Sequence, residues 1–201
     1  MISEEMSSKA NMTNAYTKGI HKPDWVTPWD LYYKIENVFN IEFKIDACAT
    51  KENAKCQEYI TPEMDIFKTE ITKDAFMNPK YSAGNLEKGV MGIGHFVARL
   101  YHQHIYHNIN VAYVLPSTVT SLEWFETYFG PLQLNAFGEK TQVYFVRKRQ
   151  QFETGKTNGG PPFSTQVFLH RRHTDLEMKW IQKRYEENRD KLMWFLDDRK
   201  L

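Results

Sequence analysis

The stretch Ile41-Glu42-Phe43-Lys44-Ile45-Asp46-Ala47-Cys48-Ala49 decides how the chain folds. Ile41, Phe43 and Ile45 alternate with polar residues, the period of a half-buried strand, and Asp46 falls at its carboxyl end. Open α/β sheets bind ligands outside the carboxyl ends of their strands. An acid there, followed by three small residues, lets a bound molecule approach the backbone closely. No glycine-rich nucleotide loop is present, and the residues alone allow a second reading in which Asp46 only caps a short helix over 51–55.

Working outward, residues 75–78 form the next strand in Ala75-Phe76-Met77-Asn78-Pro79-Lys80-Tyr81-Ser82. A buried strand that stops at an amide, a proline and an aromatic ring sets one acceptor and one flat ring at the lip of a sheet. That pairing suits a planar base held by its exocyclic amine. Between the two strands, Tyr59-Ile60 reads as a short strand. In Asp65-Ile66-Phe67 a carboxylate stands beside an apolar pair able to cover an adenine or a ribose. Upstream, Trp25-Val26-Thr27-Pro28-Trp29-Asp30 reads as a helix start, with Thr27 as N-cap, Pro28 in the first position and Asp30 completing a capping-box pattern. Leu31, Ile35 and Val38 continue the helix to 38. Its positive end can receive a carboxylate; alternatively Thr27 only caps and Trp25 only packs beneath.

Downstream, Leu86, Val90, Ile93, Val97, Leu100, His104 and His107 recur at helical spacing over 86–107. His95, His102, His104 and His107 have no Cys, Asp or Glu beside them in that segment. They read as a partly buried helix face, and no metal site is expected. Residues 111–116 are an apolar strand, and Ser117, Thr118 and Thr120 can cap a helix over 122–129. Strands follow at 132–137, 142–146 and 165–170, with a turn at Gly138-Glu139 between the first two. Thr174-Asp175-Leu176-Glu177 is a capping box opening a helix to about residue 197. Leu176, Trp180, Ile181, Tyr185, Leu192 and Phe195 form its apolar stripe. The helix packs on the body, with Trp194 and Phe195 available to a dimer.

The alternation of helices and strands argues for an α/β domain over 23–173, with a mostly parallel sheet and an antiparallel C-terminal hairpin. A polar arm (1–22) precedes it and the helix (174–201) follows. In that architecture Asp46, Asp65 and Asn78 share one sheet edge.

Charge limits the partners. With 26 basic and 25 acidic residues the net charge is +1, so no global field attracts a polyanion and any such contact is local. Arg147, Lys148, Arg149, Lys156, Arg171 and Arg172 gather against the single acid Glu153. That cluster is either a phosphate-contacting surface or a solvated loop. Two cysteines, Cys48 and Cys56, fit neither a disulfide framework nor a zinc site, and point to a reducing compartment such as the cytoplasm. No apolar run approaches the ~18 residues of a membrane span, and no signal peptide is expected at the N-terminus.

The ordered series of motifs resembles the phage-type DNA N-6-adenine methyltransferases, small Dam-like enzymes, from Trp25 to His170. Trp25-x-Thr27-Pro28 is similar to the family's W-x-T-P, and Ile45-Asp46-Ala47-Cys48-Ala49 to its L-D-x-A-A cofactor motif. Glu52-Asn53-Ala54-Lys55-Cys56 matches E-N-A-K-C, and Asp65 falls on the acid before the catalytic strand. Asn78-Pro79-x-Tyr81-Ser82 resembles N-P-P-Y-S, with Lys80 in place of the second proline. Leu115-Pro116-x3-Thr120-x3-Trp124-Phe125 and Pro162-Phe163-Ser164 complete the series. The resemblance implies a class I methyltransferase (Rossmann-like) fold and transfer from S-adenosyl-L-methionine to the N6 amine of a flipped adenine in DNA. It implies Asn78, Pro79 and Tyr81 as catalytic, and Trp25, Thr27, Asp46, Ala47, Cys48, Ala49, Asp65 and Asn78 as cofactor-binding. Asp46 and Asp65 share the ribose and adenine ends of the cofactor. For DNA, the expectation falls on Lys80, Ser82, Arg147, Lys148, Arg149 and Lys156, with the 138–162 hairpin and loop reading the sequence. The expected assembly is a monomer or homodimer in the host cytoplasm. The residues leave open an RNA-adenine or other amine methyltransferase, or an inactive nucleic-acid-binding module on the same fold.

Overall fold

The computed structural model describes residues 26–82, 84–85, 90–130, 134–146 and 164–192. Its elements in chain order are α1 (Trp29–Phe39), β1 (Ile45–Asp46), β2 (Glu58–Tyr59), β3 (Ala75–Met77), α2 (Ile93–His107), β4 (Val111–Pro116), α3 (Glu123–Tyr128), β5 (Gln142–Phe145), β6 (Thr165–His170) and α4 (Asp175–Leu192). A 3₁₀ turn, Ser117–Ser121, joins β4 to α3. The strands form one six-stranded sheet in the order β2-β1-β3-β4-β6-β5. The first four are parallel, and β6 runs antiparallel to both β4 and β5. The expected mixed α/β architecture is therefore present among the described residues.

Strand periodicity splits the core into two layers. Val111, Tyr113 and Leu115 of β4 point to the face covered by α2, α3 and α4, with Val97, Leu100, Tyr101, Phe125, Ile181 and Tyr185. Ala112 and Val114 point to the other face, against Leu31, Tyr32, Ile35 and Phe39 of α1 and Val167 and Leu169 of β6. All six residues of β4 are buried, because the strand is covered on both faces. β3 divides the same way, Ala75 and Met77 on one side and Phe76 on the other.

Several sequence expectations are corrected here. Thr27 is not the N-cap of α1: Pro28 occupies that position, no side chain caps the helix, and the Thr27 hydroxyl is committed elsewhere. β1 is shorter than the alternation over 41–46. Asn40 leaves α1 in the left-handed region (φ 53°), and Ile41 N–H donates to the Glu36 carbonyl. The Glu36 carboxylate then takes the Phe43 N–H at 3.0 Å, so 41–43 finishes the helix before the sheet begins. α2 starts at Ile93 rather than 86. Asn85 and Val90 exchange backbone hydrogen bonds in a small antiparallel bridge, and Ile93 N–H donates to Ser82 O. Gly84 stands next to that bridge at φ 78°.

Of the strand expected at 132–137, residues 132 and 133 lie outside the described residues and 134–137 form no strand. The cause is Asn135. Its Oδ1 accepts the Phe137 and Glu139 N–H groups, and its Nδ2 donates to Tyr101 Oη and Tyr128 O. A buried amide that satisfies the local backbone replaces a ladder. In α4 the capping box forms, with Thr174 N–H on Glu177 Oε2 at 2.9 Å. The stripe differs: Met178, Ile181 and Tyr185 are buried, while Leu176 is 80% and Trp180 48% exposed. Trp194, Phe195 and the end of the expected helix lie outside the described residues. No helix among the described residues is long and apolar enough to cross a membrane.

Candidate active site

Parallel pairing of β2, β1, β3 and β4 brings their carboxyl ends to one edge, and the sequence places its chemistry there. At the end of β1, Asp46 is 3% exposed. Its Oδ2 accepts the Lys55 N–H at 3.0 Å and its Oδ1 the Cys48 N–H at 3.3 Å. One carboxylate thus shapes the whole 46–55 loop. Burial raises its pKa to about 6, against the two backbone donors and the Lys55 charge, which pull it down. Ala47 and Ala49 are buried and Cys48 is half-buried; both cysteines are free thiols. Lys55 lays its ammonium over the Trp29 ring, 4.3 Å from the centroid, linking this loop to the start of α1.

At the end of β3, the amide Nδ2 of Asn78 donates to Thr27 Oγ1 at 2.9 Å. This bond joins two motifs fifty-one residues apart in sequence. It also fixes which way the amide faces, because the nitrogen end is held by the buried Thr27 and the carbonyl end points the other way. Pro79 is buried and Lys80 is exposed. Ser82 is half-buried, with Oγ on Met91 O at 3.2 Å, so it stitches the loop to the backbone just ahead of α2.

Tyr81 departs from its expected place at the lip. Its ring is 2% exposed in the core and its hydroxyl donates to Val114 O at 3.1 Å. Burial pushes the phenol well up.

Asp65 sits in the loop after β2 with φ 58°, and its Oδ1 accepts the Phe67 N–H at 3.1 Å while Oδ2 pairs with Lys68 at 3.0 Å. Left-handed backbone at a non-glycine residue is tolerated best by Asp and Asn, whose side chains bond locally. The loop is pinned from below by a residue the sequence did not single out. Arg99 of α2 is buried and donates to Ile66 O at 3.2 Å and Thr69 O at 2.9 Å. Its signal was a guanidinium on the apolar side of a helix. Phe67 packs on Phe96, centroids 5.3 Å apart.

The structure thus brings Thr27 to Asn78, and Asp46 to the 47–49 loop. Trp25, Arg147, Lys148, Arg149 and Lys156 lie outside the described residues, as does most of the expected 138–162 reading loop. In its described start Glu139 and Thr141 are buried, while Lys140, Gln142 and Phe145 are exposed. Arg171 and Arg172 leave the basic cluster. Arg171 donates to Gln142 Oε1 and to the Phe39 carbonyl, and Arg172 pairs with Asp74 at 2.7 Å. The histidines form the expected partly buried helix face, with His95 and His104 buried and His102 and His107 half-buried, but they find acidic partners outside their own segment. His104 is fully buried and bonds Glu139, an acid from a distant segment, while His107 pairs with Glu70 at 3.3 Å.

Comparison with known proteins matches residues 14–194 to the family model of DNA N-6-adenine-methyltransferase (Dam). The chain is 30% identical over 148 residues to a DNA N-6-adenine-methyltransferase of Haemophilus phage HP1, covering 73% of this chain and 80% of that protein. No solved structure matches. The match spans the strand-end aspartate, the Asn-Pro-x-Tyr loop and the threonine that holds its amide, and the chain belongs to the DNA N-6-adenine-methyltransferase (Dam) family.

Proposed function

We propose that the protein transfers a methyl group from S-adenosyl-L-methionine to the exocyclic N6 amine of an adenine in DNA, on a class I methyltransferase fold. The observation that carries this reading is the Thr27–Asn78 hydrogen bond at the carboxyl edge of the sheet, in a chain of this family. It presents an oriented amide acceptor where an amine has to be held.

An aromatic amine is a poor nucleophile because its lone pair is delocalised into the ring. Hydrogen bonds from its two protons to Asn78 Oδ1 and the Pro79 carbonyl favour a pyramidal nitrogen and direct its lone pair. Such positioning supplies several kcal/mol of barrier reduction, on the order of a thousandfold in rate. When bound, S-adenosyl-L-methionine would supply an electrophilic methyl on a sulfonium for the amine held by Asn78 and Pro79, with the displaced amine proton passing to solvent.

The residues around the edge fit such a molecule. Asp46 and Asp65 offer carboxylates for ribose hydroxyls and the adenine amine, and the small side chains of Ala47, Cys48 and Ala49 allow close approach. The N-terminus of α1, with Thr27 beside it, offers a positive end for the methionine carboxylate, and Trp25 of the same sequence motif is assigned to the cofactor with it. The target adenine must leave the duplex to reach Asn78, and unstacking costs a few kcal/mol. The Tyr81 ring would offset this by stacking on the base once the loop lifts it off Val114; in its buried state it anchors the loop. Lys80 and Ser82 flank the entering strand, and Arg147, Lys148, Arg149 and Lys156 contact its phosphates. Such an enzyme works in the cytoplasm of the cell that holds its DNA.

The test is tritium transfer from labelled cofactor to duplex DNA, RNA and protein, followed by detection of N6-methyladenine. Label in DNA is expected, and Asn78→Ala should abolish it while cofactor affinity stays within a few-fold. Label confined to RNA or protein overturns the assignment.

A further inference from the structure

A second set of chemistry-bearing side chains gathers at the opposite edge of the sheet, by the amino end of β4 and the carboxyl end of β6. His104 near the end of α2, Glu139 from the turn before β5, and His173 between β6 and α4 bring two imidazole nitrogens and a carboxylate oxygen within 4.8 Å of one another. His104 Nε2 and His173 Nε2 each lie 3.0 Å from Glu139 Oε1. Ligand atoms held at about 2.0–2.1 Å from a zinc ion are separated by roughly 2.9–3.4 Å when their angles lie between 90° and 109°. Both nitrogen–oxygen separations already fall in that range, and the two imidazole nitrogens, within 4.8 Å of each other, need only close toward it to take up an ion.

Three further features favour a ligand over a hydrogen-bonded cluster alone. The Ile109 carbonyl, 2.6 Å from His104 Nδ1, can only accept, so that nitrogen carries a proton. Nε2 then faces Glu139 either with a second proton, as a fully buried imidazolium, or as a lone pair. A backbone carbonyl on the far nitrogen is what orients a metal-ligating histidine. Second, Glu139 is 1% exposed and its Oε2 lacks a hydrogen-bond partner among the described residues. Third, the neighbouring His170 does not compete. It stacks on His104 at 5.4 Å, its Nε2 donating to Tyr128 O and its Nδ1 accepting from Tyr113 Oη. His173, whose side chain is 18% exposed, opens the cluster to solvent.

We propose that His104, Glu139 and His173 bind a divalent transition-metal ion, zinc by the ligand set, which ties the end of α2 to the 135–139 turn and the β6–α4 link. Two imidazoles and one carboxylate, with a remaining position for water on the His173 side, suit zinc rather than magnesium or calcium. The site is remote from the carboxyl-end crevice, so its role is structural and independent of the proposed methyl transfer.

The test uses the full chain without a histidine tag, stripped by chelator and titrated with zinc by calorimetry, with cobalt(II) as an optical probe. One saturable equivalent is expected, with the intense visible absorption of four- or five-coordinate cobalt and a melting temperature raised by several degrees. His173→Ala should weaken zinc binding at least about tenfold. His173→Gln keeps a donor toward Glu139 but lacks an imidazole. It should retain the melting temperature of the metal-free protein and lose the zinc-dependent rise, which separates ligation from packing. No saturable binding, an octahedral aquo-type cobalt spectrum, or equal zinc affinity in wild type and His173→Gln overturns the proposal.

Discussion

At the residue level the site turns on how two side chains are committed. Thr27 was legible in sequence as a helix cap, because a threonine before proline at a helix start has that role in most contexts. It is instead a buried acceptor for Asn78 Nδ2, a pairing across fifty-one residues that no local pattern encodes. Removing its hydroxyl removes this hold on the amide, and a lost hydrogen bond of about 1 kcal/mol compounded by misalignment implies a fall in kcat on the order of tenfold. Thr27→Val is therefore expected to lower kcat, and Thr27→Ser to restore it. Equal kcat in the valine variant would show that Asn78 is positioned by something else. Asp46 was legible in place but not in environment. Burial raises its pKa from 3.8 to about 6, so folding is favoured while it is protonated. That contribution is complete below about pH 4 and is lost as pH rises through 6, a loss of about 3 kcal/mol from a two-unit shift. In denaturant melts across pH 4–7, Asp46→Asn is expected to lack this decline; superimposable wild-type and variant profiles would exclude it.

Elements with strong periodicity were readable from the chain. α1, β3, β4, β6 and the start of α4 appear where spacing and capping put them, since each buries a regular apolar face or opens on a capping box. Failures occurred where side chains replaced backbone partners, as Asn135 does in the turn before β5 and Glu36 does ahead of β1. The segment between the Asn78 loop and α2 shows the same limit. Helical spacing from 86 onward hid the Asn85–Val90 bridge, which stands ahead of α2 and next to Gly84. A Cβ built on Gly84 would lie 2.5 Å from Gly92 N and 2.9 Å from Val90 O, both backbone atoms, at φ 78°. Left-handed backbone costs alanine about 1–2 kcal/mol, and the overlap adds to it. Gly84→Ala is expected to destabilise by roughly 2–3 kcal/mol, a drop of about 5–10 °C in melting temperature. Because Ser82 is tied to the backbone just ahead of α2, methyl transfer should fall further than stability alone requires. A variant with unchanged melting temperature and turnover would remove Gly84 from the site's support.

On the scale of the whole molecule, alternating helices and strands were enough to foretell a mixed sheet with Asp46 and Asn78 at the carboxyl ends of neighbouring parallel strands. They could not foretell what the other edge would bind, because His104, Glu139 and His173 come from three segments with no shared motif. Charge shows the same division. The net charge is +1, so DNA affinity has to come from a local group of cations. Arg171 and Arg172, counted with that group in sequence, are spent on Gln142, Phe39 and Asp74. Arg147, Lys148, Arg149 and Lys156 then carry the expectation against Glu153 alone. Each phosphate contact releases counterions and steepens the fall of log K with log salt by about 0.9. Replacing all four with alanine should flatten that slope by as much as about 3–4 and weaken duplex binding across sequences, while cofactor affinity stays unchanged. Binding isotherms between low and physiological salt measure both quantities. If the slope is retained in the fourfold variant, the phosphate-contacting surface lies elsewhere, with exposed Lys80 beside the Asn78 loop the next residue to replace.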